Sequence, residues 1–367
     1  MNASRQLPPV ALPGSLKNCV AAVLWSVVVS ILFLFPGCRQ RPPREVTRAF
    51  YYWKSVFALS GLEERYLNTL RVNTLYVKIF DVTWNREGVT AVPVAQIQWK
   101  DPRYRLFQVI PVVFITNETL AHTDTSRMEG LADKICTLLG RSIRQNDLPR
   151  PPEIQFDCDW TASTRAAYFQ LLRTLRIRLN KEGFGSASLS ATIRLFQCKY
   201  ISRAGVPPVD RGLLMCYNMG NLTHPTTGNS ILENSELKKY LASVKAYPLP
   251  LDVALPLFDW KVLFHKDSYA GLVKDLADSL LERCPGVTRQ GNRYTFIKDT
   301  TLQHYSFRAG DVLRDEQSRY EEVMTAGKMI AANLPNQPVK LILYHLDSLT
   351  LIKYSVNEME NMFNSLR

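Results

Sequence analysis

Histidine is scarce in this chain: 367 residues hold five, His122, His224, His265, His304 and His345. None stands in an HxH or HExxH arrangement, so the common zinc-hydrolase signatures are excluded and no metal is expected. No glycine-rich phosphate loop follows the first predicted strand, which argues against an open doubly wound sheet. No cofactor is implied. The seven cysteines include no CxxC pair. Five of them, Cys136, Cys158, Cys198, Cys216 and Cys284, fall in the body of the chain, an odd number that does not suit a disulfide framework. They read as small apolar fillers. Lysine and arginine never form a block longer than a few residues, and no nucleic-acid-binding motif is present, so no nucleic-acid partner is expected.

What is present suits a globular protein with a sizeable core: 46% of residues are hydrophobic and 21% charged. The formal charge is +12. Residues 1–37 carry Arg5 and Lys17 and no acid, which leaves +10 on the remainder. That excess reads as a generally basic surface.

The amino terminus reads as an address. Lys17 precedes an apolar run of sixteen residues, 20–35, which ends in Pro36-Gly37-Cys38. A basic start, an apolar middle and a small residue before a cut site describe a secretory signal. Gly37-Cys38 resembles a bacterial lipobox, so residues 1–37 are expected to be removed and Cys38 to be acylated. A spanning helix needs about 20 apolar residues, so an uncleaved anchor is the weaker alternative. Either way the body is expected outside the cytoplasm, held at the cell envelope, with the bacterial outer membrane as the expected location. Residues 39–47, rich in Arg and Pro, read as a tether, and the body as residues 48–367.

In the body, apolar runs alternate with helical periodicity. Strands are predicted at 49–53, 74–80, 108–115, 154–160, 189–195, 212–219, 251–258 and 339–346. Helices are predicted at 61–71, 125–145, 162–182, 233–244, 268–283, 320–334 and 355–366. Asp267 reads as a cap or N-terminal charge for the 268–283 helix. Eight strands alternating with helices imply an α/β fold, a (β/α)8 TIM barrel. Residues 293–313 read as a hairpin, so an insertion of approximately 285–318 is expected between the seventh and eighth strands.

Active sites of such barrels lie at the carboxyl ends of the strands. There the sequence places Trp53, Asp81, Glu118, Asp157, Asp159, Trp160, Tyr217, Asn218, Asp259 and Trp260. Carboxylates accept bonds from hydroxyls or amides, and aromatic rings pack on the apolar faces of sugars. Asp157 and Asp159 stand two apart on a predicted strand, so both point to one face. Two like charges there favour a retained proton on one of them.

The stretch Phe156-Asp157-Cys158-Asp159-Trp160-Thr161 resembles the fourth-strand signature of the family 18 glycoside hydrolases, Asp-x-x-Asp-x-Asp-x-Glu. Phe50-Tyr51-Tyr52-Trp53, Leu189-Ser190-Ala191 and Met215-Cys216-Tyr217-Asn218 are similar to its first, fifth and sixth strands. The resemblance implies that Asp157 and Asp159 support a substrate acetamido group and that Tyr217 bonds its oxygen. Thr161 stands where the family has its catalytic glutamate, Ile154 where it has its first aspartate, and Asn218 where it has an aspartate. A threonine hydroxyl cannot act as the general acid near neutral pH.

Three readings follow. The first is a lipid-anchored protein that binds glycan, N-acetylated in the family's manner, without the usual catalysis. The second is a glycosidase with a substitute acid, Glu118 first, then Asp259 and Asp81. The third is a structural or partner-binding envelope protein with an occluded barrel mouth.

Overall fold

The computed structural model describes residues 43–367 apart from Asp275, and Gln6 by itself. The expected signal sequence, the lipobox Cys38 and the first residues of the tether lie outside the described residues.

Eight parallel strands form the core: Val46–Tyr52, Thr74–Asn85, Gln108–Ile115, Glu153–Asp157, Ser188–Arg194, Arg211–Met215, Leu251–Pro256 and Val339–Tyr344. Each pairs with the next, and the first also pairs with the eighth, Phe50 opposite Leu343, which closes the barrel. The strands are rich in Val, Ile, Leu and aromatics and are buried along nearly their whole length, as parallel strands covered on both faces must be. The second residue of the sixth strand, Gly212, packs so closely that an added Cβ would lie 2.8 Å from both Ile193 and Leu251.

The helices pack outside. Met128–Gln145 buries Leu131, Ile135, Leu139 and Ile143, an apolar stripe at helical spacing. Gly61–Thr69 and Val356–Asn364 each begin with a capping box, Ser60 with Glu63 and Ser355 with Glu358. The body starts earlier than the expected residue 48. The first strand begins at Val46, and the Arg44 guanidinium donates to the carbonyls of Leu366, Ala331 and Leu334, the last at 3.1 Å. Residues 44–47 therefore belong to the barrel.

Between the seventh and eighth strands in chain order lies a separate antiparallel sheet of five strands, ordered Ser268–Val273, Asp259–His265, Val312–Gln317, Arg293–Phe296 and Val287–Gln290. It begins well before residue 285. The helix expected over 268–283 is not there: residues 268–273 form a strand, and only Asp278–Glu282 is helical. Tyr269, Leu272 and Val273 fit a helical spacing as well as a short strand. Lys266 and Asp267 both have positive φ, the backbone of a tight hairpin turn, so Asp267 turns the chain and caps nothing. The sheet has its own small core of Val273, Leu276, Leu281, Tyr294, Phe296, Phe307 and Leu313.

A buried ion pair fastens this sheet to the loop after the sixth barrel strand. Arg314 and Glu316 are both fully buried. The Arg314 guanidinium also donates to the carbonyls of Leu222 and His224, at 2.8 and 2.7 Å. Glu316 accepts from Ser230 and from the Trp260 indole.

Candidate functional site

At the carboxyl ends of the strands lies a cleft of about 1310 Å³, walled by the barrel on one side and the second sheet on the other. Its floor is aromatic. Tyr344, at the end of the eighth strand, has its ring 5.3 Å from Tyr217, 5.6 Å from Tyr51, 5.9 Å from Trp53 and 5.5 Å from Phe258. Asp157 and Asp159 line the same cleft. The fourth strand ends at Asp157, so Asp159 lies in the irregular segment beyond it.

The two aspartates live in different surroundings. Asp157 is buried and accepts from the Thr192 hydroxyl at 2.6 Å. Burial pushes its carboxyl up to about 6; the charges of Asp159 and Asp81 push the same way, while the Thr192 bond and Arg194 oppose them. Asp157 therefore changes charge near neutral pH and can hold a proton. Asp159 is clamped by both ends of the Arg194 guanidinium, a bidentate geometry that fixes its orientation. Arg194 also donates to the carbonyl of Asn218 at 3.3 Å, tying three strand ends together.

Tyr217 is buried at the cleft floor, and burial pushes its phenol well above its ordinary range, so it stays a neutral donor. Asn218 follows with positive φ, its side-chain oxygen buried without a hydrogen-bond partner among the described residues. His345 also lines the cleft, and burial lowers its pKa, which keeps it neutral. Trp53 lines the cleft with the Lys78 ammonium 5.5 Å from its ring centre. Asp259 is held by Lys353, and the Trp260 nitrogen donates to Glu316 at 2.7 Å. Among the described residues no cluster suited to a metal ion occurs.

Three expected residues fall outside the lining. Glu118 sits half-buried on the first turn of helix Asn117–His122, held by Arg86 at 2.8 Å, and does not line the cleft. Asp81 is paired with Lys78 at 2.8 Å; it acts on Asp157 through its charge only. Trp160 is wholly buried behind the strand end: its ring centre lies 5.1 Å from that of Tyr168, and its nitrogen donates to the Ala204 carbonyl at 2.9 Å. It is a core residue, on the face that alternation gives to Phe156 and Cys158 and opposite the one that Asp157 and Asp159 share. Trp160→Ala is expected to lower stability by about 3–5 kcal/mol, measured by denaturant unfolding, with ligand affinity unchanged at temperatures where the variant is folded.

Sequence reasoning missed Arg194, Tyr344 and Lys353. Arg194 and Tyr344 close the fifth and eighth strands, so the strand-end rule that found Asp157 reaches them too. Lys353 sits beyond the eighth strand, and only the fold brings it to Asp259. Thr161 is exposed, and its hydroxyl is engaged by Ser163 at 2.8 Å. The adjacent Asp210 and Arg211 each pair elsewhere, Asp210 with Arg176 at 3.0 Å and Arg211 with Asp252 at 2.7 Å.

Compared by sequence, the chain matches no protein-family model and no curated protein. Compared by structure, it is similar to a chitinase from Chromobacterium violaceum, with TM-score 0.54 and 12% identity over 88% of this chain and 99% of that one. It is similar to the spore cortex-lytic enzyme SleL of Bacillus cereus, with TM-score 0.53 and 14% identity over 88% of this chain and 75% of that one. It is also similar to a Group IV chitinase of Ostrinia furnacalis, whose structure is a complex with allosamidin, with TM-score 0.51 and 11% identity over 88% and 98%. At such identities the likeness is one of fold. By that fold the chain is similar to the family 18 glycoside hydrolases: a chitinase-like (β/α)8 barrel.

Proposed function

We propose that this protein binds an N-acetylated glycan in the cleft at the carboxyl ends of the strands, and that it does so from a lipid anchor at Cys38. One observation carries the reading: Asp157, a carboxyl that changes charge near neutral pH, lies on the same cleft floor as Tyr217 and four further aromatic rings. A buried carboxyl and a neutral phenol suit an acetamido group, which offers one N–H donor and one carbonyl acceptor. The ring floor suits the apolar face of a pyranose. The fold is shared with a chitinase solved with allosamidin, which makes that compound the first probe for this cleft.

Hydrolysis by the usual acid is not part of this reading. Thr161 holds the acid's position and has no proton to give near neutral pH. Glu118 is turned outward and paired with Arg86. Nor is the third reading favoured, since the mouth is open between the barrel and the second sheet.

The test is a titration of the full chain in detergent with allosamidin and with N-acetylglucosamine oligomers, alongside assay of released sugar. Binding without release is expected, and Glu118→Gln is expected to leave both unchanged. Released sugar would establish a glycosidase, and neither binding nor release would leave a structural role. Mass analysis of the chain extracted from bacterial membranes checks for acylated Cys38.

A further inference from the structure

In a parallel barrel every strand starts at the floor opposite the cleft, and every outer helix ends there. The chain enters the body on this floor at Arg44. The floor is basic. Arg71, Arg150 and Lys245 stand in the segments that lead into the second, fourth and seventh strands, and Arg141 and Lys181 near or at the ends of helices Met128–Gln145 and Arg165–Lys181. All five are exposed, and none has an ion pair among the described residues. The acids of this rim are mostly occupied: Asp147 by Arg105 at 3.1 Å, Glu182 by Arg144 at 3.3 Å and Asp210 by Arg176 at 3.0 Å, with Glu45 the one acid on it lacking an ion pair among the described residues.

The same floor holds a hollow of about 630 Å³ beneath the first strand, lined by Arg48, Arg71 and Arg367 against a single acid, Glu360, which Arg48 already pairs at 2.5 Å. Arg367 acts on the same Glu360 through its charge, so three cations share one carboxylate and Arg71 has no acidic partner there among the described residues. Such a hollow suits a phosphate-bearing headgroup.

We infer that this floor docks on an anionic bilayer, so that the body stands with its cleft facing away from the membrane. The inference rests on the lipid-anchor reading of Cys38. Residues 39–43 separate that cysteine from Arg44, and five residues span at most about 18 Å. The anchor thus keeps the floor close to the bilayer, and the unpaired cations act within the short range that salt leaves them. A floor of unpaired arginine and lysine fits no neutral surface, and the short tether leaves few other surfaces within reach. Attachment comes from the acyl chains; the basic face supplies orientation.

The experiment places the full-length acylated chain in nanodiscs of phosphatidylcholine alone and of phosphatidylcholine with phosphatidylglycerol, and labels lysines with a water-soluble acylating reagent. In the anionic discs, Lys181 and Lys245 are expected to react at least about threefold more slowly than in neutral discs, with the difference lost in high salt. Lys274, exposed at the cleft, is expected to react equally in both. Arg71→Glu with Arg150→Glu is expected to abolish the protection while leaving disc incorporation and allosamidin binding intact. Equal labelling of Lys181 and Lys245 in the two discs, or protection of Lys274 instead, would overturn the inference with the anchor still standing. A chain that enters neither disc would overturn the anchor reading, and this inference with it.

Discussion

Asp157→Asn is expected to abolish allosamidin binding, by about 100-fold or more, and yet to make the protein more stable above pH 6. The affinity loss follows from replacing a carboxyl that can take or give a proton with an amide that can do neither; truncating a buried polar partner of a ligand is among the costliest changes in a site. The stability gain follows from linkage. Asp157 has its folded-state pKa raised from 3.8 to about 6, mainly by burial. A raised carboxyl pKa means that the fold prefers the protonated form. Its contribution is fully present below the unfolded pKa and is lost as pH rises through about 6. At pH 8 the native state therefore carries a buried charge that costs about 2–3 kcal/mol, at 1.36 kcal/mol per unit. An asparagine of nearly the same shape removes that cost and can still accept from Thr192. Melting temperatures of the two proteins are expected to agree near pH 4 and to diverge in favour of the variant at pH 8. A variant no more stable at pH 8 than the parent would show that Asp157 is not held in a charge-averse setting. Ligand binding left intact would remove Asp157 from the site.

Arg314→Met is expected to cost about 3–5 kcal/mol. Arg314 and Glu316 are fully buried, and removing the cation leaves Glu316 as an uncompensated charge that only Ser230 and the Trp260 indole bond. The change also frees the carbonyls of Leu222 and His224, so the loop between the sixth strand and the helix at Asn234 loses two of its ties to the second sheet, while those from Arg293 to Thr227 and from Asn229 to Gln317 remain. Glu316→Gln in the Arg314→Met background is expected to recover a large part of the loss, because it removes the orphaned charge. A double-mutant cycle read by urea unfolding checks both statements. A cost below about 1 kcal/mol for Arg314→Met would mean that water reaches Glu316 and that the pair is not sealed.

The barrel was legible because buried parallel strands advertise themselves. Val109 to Ile115 and Val253 to Pro256 are unbroken apolar runs, and each lies in a barrel strand. Part of the cleft was legible for the same reason: once strand ends are located, Asp157, Tyr217 and Trp53 fall at one end of one barrel. The second sheet was not. Its strands are short, half exposed and mixed in polarity, and Tyr269, Leu272 and Val273 carry no period that tells strand from helix. Partners were not legible either. Arg194 reaching Asp159, and Lys353 reaching Asp259, join residues 35 and 94 positions apart. Trp160 shows the opposite failure: its place at a strand end was taken for a place in the cleft, although alternation puts it with Cys158 on the face turned away from Asp157 and Asp159.

The second sheet's private core has a consequence of its own. Its apolar cluster, from Val273 to Leu313, forms a group separate from that of the barrel, and polar ties such as Arg314 cross between them. The two clusters are expected to open at different free energies, the smaller at the lower, which hydrogen exchange would read. The smaller one, which forms a wall of the cleft, is free to loosen while the larger stays folded. Opening of the cleft and survival of the scaffold are then governed by different free energies.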